Sequence, residues 1–141
     1  MKNILFATSE AVPFIKTGGL ADVAGSLPKY FDKEKYDVRV MLPKYMCMKD
    51  EWKEKLQYHT HFYMDLNWRK QYVGVLEMEY DGIKFYFIDN EYYFNGYAPY
   101  GDMYADIEKF AFFSKAVLSA LPLIDFRPDI IHCHDWQTGL V

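Results

Sequence analysis

A chain of 141 residues has room for one domain and no more. With 51 % hydrophobic and 26 % charged residues it is no disordered tail, and a domain of this size builds a core without metals or disulfide staples. The net charge of −4 comes with no basic stripe, which argues against nucleic acid or another polyanion as a partner.

Cys47 and Cys133 match no CxxC or zinc-ligand spacing, so the chain reads as cytoplasmic and without a disulfide framework. The apolar run at its start is too short for a signal peptide or a membrane span. Aromatic residues make up 19 %, including 13 tyrosines, and composition alone leaves open whether they are core or a ligand surface.

In chain order, Ile4-Leu5-Phe6-Ala7 within 2–8 reads as a strand buried on both faces. Pro13 and Gly18-Gly19 then make 9–19 a loop. A helix is predicted over about 20–31, with Leu20, Val23, Ala24, Leu27 and Phe31 on one apolar face and Pro28 kinking it or ending it early. Val38-Arg39-Val40-Met41-Leu42 is a second strand, stopped by Pro43. Strand, loop, helix and strand in that order open a parallel α/β sheet.

The stretches 57–66, 69–80 and 83–88 are rich in Tyr, Phe and Val with partial alternation, and Asp81-Gly82 joins the last two. They are expected to be antiparallel strands, inserted into or flanking the parallel sheet. Residues 89–103 form a tyrosine-rich irregular loop. A second helix over 104–121 should bury Ile107, Phe110, Ala111, Ser114, Val117, Leu118 and Leu121, leaving Glu108, Lys109 and Lys115 off that face. Ile130-Ile131-His132-Cys133 is a further strand, after which the chain stops where another helix is due to begin.

Three places carry chemistry. Lys16-Thr17-Gly18-Gly19-Leu20 lies between the first strand and the first helix, where free N–H groups and the helix dipole favour an anion and glycines let a phosphate approach. The same glycines could simply permit a tight turn, with Lys16 solvated; neither GxGxxG nor GxxxxGK[ST] is satisfied. In His132-Cys133-His134-Asp135-Trp136-Gln137-Thr138 the two histidines share a face if the strand continues, as a metal pair does. The alternative is a polar cluster at the sheet edge in which Asp135 is the best acid/base or hydroxyl-binding group. The loop from Tyr92 to Gly101 offers aromatic faces with polar tips, suited either to sugar rings or to covering the core. Glu10 stands on the same rim as a lone carboxylate.

These motifs together resemble the N-terminal part of the bacterial glycogen/starch synthase family, its ADP-glucose-using branch. The likeness is most specific in Ser9-Glu10-Ala11-Val12-Pro13-Phe14-Ile15-Lys16-Thr17-Gly18-Gly19-Leu20-Ala21-Asp22-Val23-Ala24-Gly25-Ser26-Leu27-Pro28. It recurs in Asp89-Asn90-Glu91-Tyr92-Tyr93-Phe94 and again from Pro128 to Leu140. The resemblance implies a Rossmann-like α/β domain of a two-domain GT-B glycosyltransferase. It implies retaining transfer of glucose from ADP-glucose to the non-reducing end of an α-1,4-glucan such as glycogen, with no metal or other cofactor. It places Lys16, Gly18, Gly19 and Asp22 at the donor site, Asp135 in the same cleft as a catalytic candidate, and Tyr100 facing the donor sugar or the acceptor.

The chain departs from the family pattern in Asp106-Ile107 and Lys109-Phe110, where Asp-Asn and Arg-Phe are usual, and in Gly96, where arginine is common. It is also several times shorter than family members, so 1–141 is expected to be an N-terminal domain truncated at its C-terminal end and inactive by itself. Two other readings stand beside the transferase: a non-catalytic carbohydrate- or nucleotide-binding module, and a metal-dependent hydrolase using His132 and His134.

Overall fold

The computed structural model describes residues 1–141, in which the chain forms, in order, β1 (Lys2–Ala7), α1 (Gly19–Ser26), β2 (Tyr36–Pro43), α2 (Asp50–Lys53), β3 (Gln57–Leu66), β4 (Arg69–Tyr80), β5 (Ile83–Asp89), α3 (Met103–Ala120) and β6 (Ile130–Cys133). All six strands join one sheet in the order β3-β4-β5-β2-β1-β6. The run β5-β2-β1-β6 is parallel, and β4 pairs antiparallel with both β3 and β5. The antiparallel region is therefore inserted in sequence between β2 and β5 and flanks the parallel sheet in space. Asp81 (φ 51°) and Gly82 (φ 76°) are both left-handed, as a tight two-residue hairpin requires. The antiparallel strands expected over 57–88 are present, and β5, which faces β4 antiparallel and β2 parallel, joins them to the parallel sheet.

Leu5, Phe6 and Ala7 of β1 are fully buried, as a strand covered on both faces must be. The helix predicted over 20–31 ends at Ser26, and Pro28 lies in the 3-10 turn Leu27–Tyr30. Proline has no N–H to continue the ladder, and its ring would meet the carbonyl one turn back. The buried face is also different. Ala21, Ala24 and Gly25 face inward, while Val23 is 50 % exposed. The reason is close approach: a Cβ on Gly25 would lie 2.9 Å from the Val12 nitrogen and closer still to its carbonyl. Small residues let α1 sit directly on the loop after β1, where the Val12 N–H donates to the Ala21 carbonyl at 3.0 Å. Gly25→Ala is accordingly expected to cost about 1–3 kcal/mol of stability by overpacking against backbone, read as a lower midpoint in urea with unchanged m.

In α3 the sequence pattern and the packing also differ. Asp106, Lys109, Phe110, Phe113, Val117 and Ala120 form the buried stripe, with Phe112 and Ala116 beside it. Ile107 and Leu118, expected inside, are 53 % and 41 % exposed. The phenylalanines set the rotation of the helix. They bring Lys109, expected off the buried face, into the interior, where its Nζ lies 3.2 Å from Asp106 Oδ1 and donates to the Pro99 carbonyl at 3.0 Å. The tyrosine-rich loop before α3 divides its residues: Tyr93 and Phe94 are core, whereas Tyr92 and Tyr97 are exposed. Cys47 and Cys133 are unbridged, and no helix is long and apolar enough to cross a membrane.

Candidate active site

β1 and β6 are neighbours with Ala7 opposite Cys133, so the segments after them leave the sheet side by side at its carboxyl edge. That is where ligands bind in open α/β sheets. The three residues after β1 are polar yet buried: Thr8 and Ser9 are 0 % exposed and Glu10 is 1 %. Such burial is costly unless the polar groups find partners. Thr8 Oγ1 donates to the Glu10 carbonyl at 2.8 Å, and the Tyr45 hydroxyl donates to the Ser9 carbonyl at 2.7 Å.

The Glu10 carboxylate receives three donors. Thr17 Oγ1 lies 2.5 Å away and the Tyr100 hydroxyl 2.9 Å, both on Oε2, while the Gly18 N–H reaches Oε1 at 3.2 Å. No cation pairs with it. Ser9 Oγ is 2.6 Å from the Tyr100 hydroxyl. Burial, the first cause, and the adjacent Glu10 carboxylate push the Tyr100 hydroxyl well above the ordinary tyrosine range, so it stays a proton donor. Glu10 thus ties together the end of β1, the loop before α1 and the loop before α3. Sequence reasoning left Glu10 as a lone rim carboxylate. Thr17 and Gly18, its partners, lay in the same motif, but nothing local signalled that their donors turn inward.

Lys16 and Asp22 form an ion pair at 2.8 Å, with both side chains 53 % exposed. A pair so exposed holds its partners weakly, on the order of 0–1 kcal/mol, so Lys16 is available to a ligand at little cost. Gly18 caps α1 in an extended conformation. Its N–H belongs to Glu10, which leaves those of Gly19 and Leu20, in the first turn of α1, without an intrahelical acceptor. A Cβ on Gly18 or Gly19 would meet nothing within 4 Å, and neither residue is left-handed. Neither turn geometry nor internal packing therefore requires these two glycines. The open side of the backbone faces outward.

β6 stops at Cys133, so the two histidines are not on one continuous strand face. Their rings nevertheless touch, with centroids 4.4 Å apart, and both pack on Phe6. No third His, Cys, Asp or Glu stands beside them to complete a metal site. His134 is buried with Nε2 unpartnered, and burial followed by the His132 charge lowers its pKa to about 4. Its protonation in the unfolded chain therefore opposes folding. That stability is fully present above about pH 6.5 and is lost as pH falls toward about 4. Thermal melting is expected to drop between pH 7 and pH 5, and His134→Gln should flatten that slope.

Asp135 is exposed and left-handed at φ 64°, with its carboxylate accepting from the Trp136 N–H at 3.0 Å. Trp136 packs edge-on against Phe110, which touches Tyr100, so one aromatic chain links the segment after β6 to the Glu10 cluster. Glu10, Thr17, Gly18 and Tyr100 are in direct contact, Lys16 and Asp22 pair beside them, and Asp135 leaves the adjacent strand at the same edge.

The family model for the starch synthase catalytic domain matches residues 3–141. The chain belongs to that family. Over its whole length it is 72 % identical to a glycogen synthase of Lachnospira eligens and 71 % identical to one of Lachnoclostridium phytofermentans. It spans 30 % of the length of each of these relatives. Among solved structures it resembles the catalytic domain of starch synthase IV from Arabidopsis thaliana bound to ADP and acarbose, with a TM-score of 0.78 and 30 % identity, over 99 % of this chain and 29 % of that one. Within this starch synthase family member the fold is the N-terminal Rossmann-like part of a GT-B enzyme, a six-stranded sheet with a parallel centre.

Proposed function

We propose that this chain is the donor-side wall of a cytoplasmic glycogen synthase, which moves glucose from ADP-glucose to the non-reducing end of an α-1,4-glucan with retention. The observation that carries the reading is the open edge of α1: two glycines that nothing inside the chain requires, with Lys16 loosely held beside them. In the transfer the bond from the glucose anomeric carbon to the diphosphate oxygen breaks, a bond to the acceptor's 4-hydroxyl oxygen replaces it, and the hydroxyl proton passes to the departing diphosphate. Charge then grows on the departing ADP. The free N–H groups of the first turn are fixed donors that stabilise it without reorganisation, and Lys16 adds a positive charge beside them. Asp22 holds Lys16 in readiness, and the exposed carboxylate of Asp135 accepts hydroxyls of the bound sugar. Tyr100, whose hydroxyl is committed to Ser9 and Glu10, presents its ring toward donor or acceptor. No metal enters this scheme.

The test is a hybrid enzyme joining residues 1–141 to the remaining part of the Lachnospira eligens glycogen synthase. It is expected to elongate glycogen from ADP-glucose, while the 141-residue chain alone does not. A hybrid that folds, binds ADP-glucose and transfers nothing would favour the non-catalytic module. Elongation by the lone chain would contradict the need for a second half.

A further inference from the structure

β3 is an outer strand of the sheet and pairs only with β4. A strand in that position shows a row of unpaired N–H and C=O groups, and natural edges are guarded by charged side chains, proline, shortness or a bulge. β3 runs for 10 residues, Gln57–Leu66, with Asp65 as its one carboxylate and without Lys, Arg or Pro. Its register on β4 shifts between Tyr58 and Thr60, so the irregularity guards the first part only. From Thr60 to Leu66 the pairing is regular and the edge is open.

The turn after β3 decides which groups face outward. Leu66 and Arg69 flank the two-residue loop Asn67-Trp68, in which Asn67 is left-handed at φ 60°. The pair that closes such a loop exchanges both of its backbone bonds, and bonded and non-bonded pairs then alternate. Leu66, Met64 and Phe62 therefore bond to β4, while Asp65, Tyr63 and His61 turn their backbone groups to the open edge. Two contacts agree with this phase. Lys115 donates to the Asp65 carbonyl, and the Tyr72 carbonyl, opposite Tyr63, points away from β3 to accept from Asn90 Nδ2 at 2.8 Å.

We propose that this edge joins a second copy of the chain, β3 against β3, antiparallel about a two-fold axis at Tyr63. Tyr63 is the midpoint of the regular stretch, so an axis there uses all of it. Tyr63 then lies opposite its own copy, His61 opposite Asp65, Phe62 opposite Met64 and Thr60 opposite Leu66. The backbone groups of His61, Tyr63 and Asp65 meet the same three residues of the other copy. The Asp65 carbonyl has a second lone pair beside the one that Lys115 uses.

The side chains favour the same register. Asp65 forms no ion pair within its own chain. The Tyr58 hydroxyl lies 2.5 Å from His61 Nδ1, and by donating there it keeps the ring proton on Nε2, free for a carboxylate. A donor and a carboxylate opposite each other, twice per dimer, stabilise the pairing, whereas like charges in those places oppose it. Tyr63, 59 % exposed, meets Tyr72 edge-on in its own chain and its own copy across the axis. The axis reverses strand direction, so the two candidate active sites open at opposite ends of the joined sheet and both clefts stay free. The pairing is independent of the donor site, and its failure leaves the proposed function standing.

The experiment is sedimentation velocity of the 141-residue chain over a range of concentrations. The parent is expected to form a closed dimer. His61→Asp sets two carboxylates against each other at both ends of the pairing, and Asp65→Lys removes the partner of His61 and adds a guarding charge. Each should weaken self-association about ten-fold. An equimolar mixture of the two variants should dimerise again, because the new acid of one chain then faces the new lysine of the other and the native His61–Asp65 contact forms once. Circular dichroism shows whether each variant is folded; where His61→Asp is not, His61→Glu makes the same contacts. A parent that stays monomeric up to its solubility limit overturns the proposal. So does a dimer that persists in both variants, since it is then held elsewhere, and so does a mixture of folded variants that stays monomeric.

Discussion

Replacing Glu10 by alanine is expected to destabilise the chain by about 3 kcal/mol, because it strands the Thr17 hydroxyl, the Tyr100 hydroxyl and the Gly18 N–H together in a buried place. The loop before α1 would lose its tie to β1, so Lys16 and the first turn of the helix should no longer stand in one geometry. In the hybrid enzyme the expected result is a lower kcat together with a higher KM for ADP-glucose. Glu10→Gln separates charge from connectivity. Its oxygen can still accept from the Gly18 N–H, and its NH2 can donate to the Thr17 and Tyr100 oxygens once those hydroxyls turn round. The amide should therefore recover most of the stability. Equal damage from both substitutions, in urea melts and in donor KM, would mean that the charge itself is what matters.

Lys109→Met should cost about 3–5 kcal/mol, the larger of the two effects, since it leaves the Asp106 carboxylate buried without its cation. Asp106 also accepts from the Gly101 N–H at 2.9 Å, and Lys109 donates to the Pro99 carbonyl. The pair therefore pins both sides of Tyr100 to the first turns of α3. Lys109→Arg should be tolerated far better, because the guanidinium keeps the charge and adds donors in the same direction. A double change to Asp106→Asn with Lys109→Met should recover part of the loss. If Lys109→Met melts at the parent's urea midpoint, the buried pair does not hold the loop.

What was legible in the sequence was local. β1 follows from a short run of apolar residues, and the β4–β5 hairpin from Asp81-Gly82, one of the dipeptides that readily take a left-handed backbone at both positions. Pro28 announced the early end of α1. The misreadings share a cause in contacts made at long range. The inward face of α1 is set by Gly25 meeting Val12, a contact that favours the smallest residue where periodicity looks for large ones. The rotation of α3 is set by its buried phenylalanines, Phe112 packing on Tyr93 and Phe94 of the loop after β5, and it carries Lys109 inward to a partner one turn away.

The site was legible in the same uneven way. The motif at Lys16-Thr17-Gly18-Gly19 marked the edge proposed for the donor, and the resemblance implied its chemistry. Yet two of its members turn inward to Glu10, and only the fold brings Tyr100, some ninety positions along the chain, onto the same carboxylate. The irregularity in β3 was invisible for a similar reason: alternation through Tyr58, His61 and Tyr63 is broken in sequence and restored only by the shift in register.

Steady-state kinetics of Lys16→Ala in the hybrid enzyme, at limiting ADP-glucose and saturating glycogen, bear most directly on whether this edge is the donor site. Loss of a charge-assisted contact to the diphosphate should raise the KM for ADP-glucose, or lower kcat/KM for it, by about 10- to 100-fold. The melting temperature should barely move, because the Lys16–Asp22 pair is half exposed. A folded variant with parental kcat and KM at limiting donor would show that Lys16 is ordinary surface and that the diphosphate is held elsewhere.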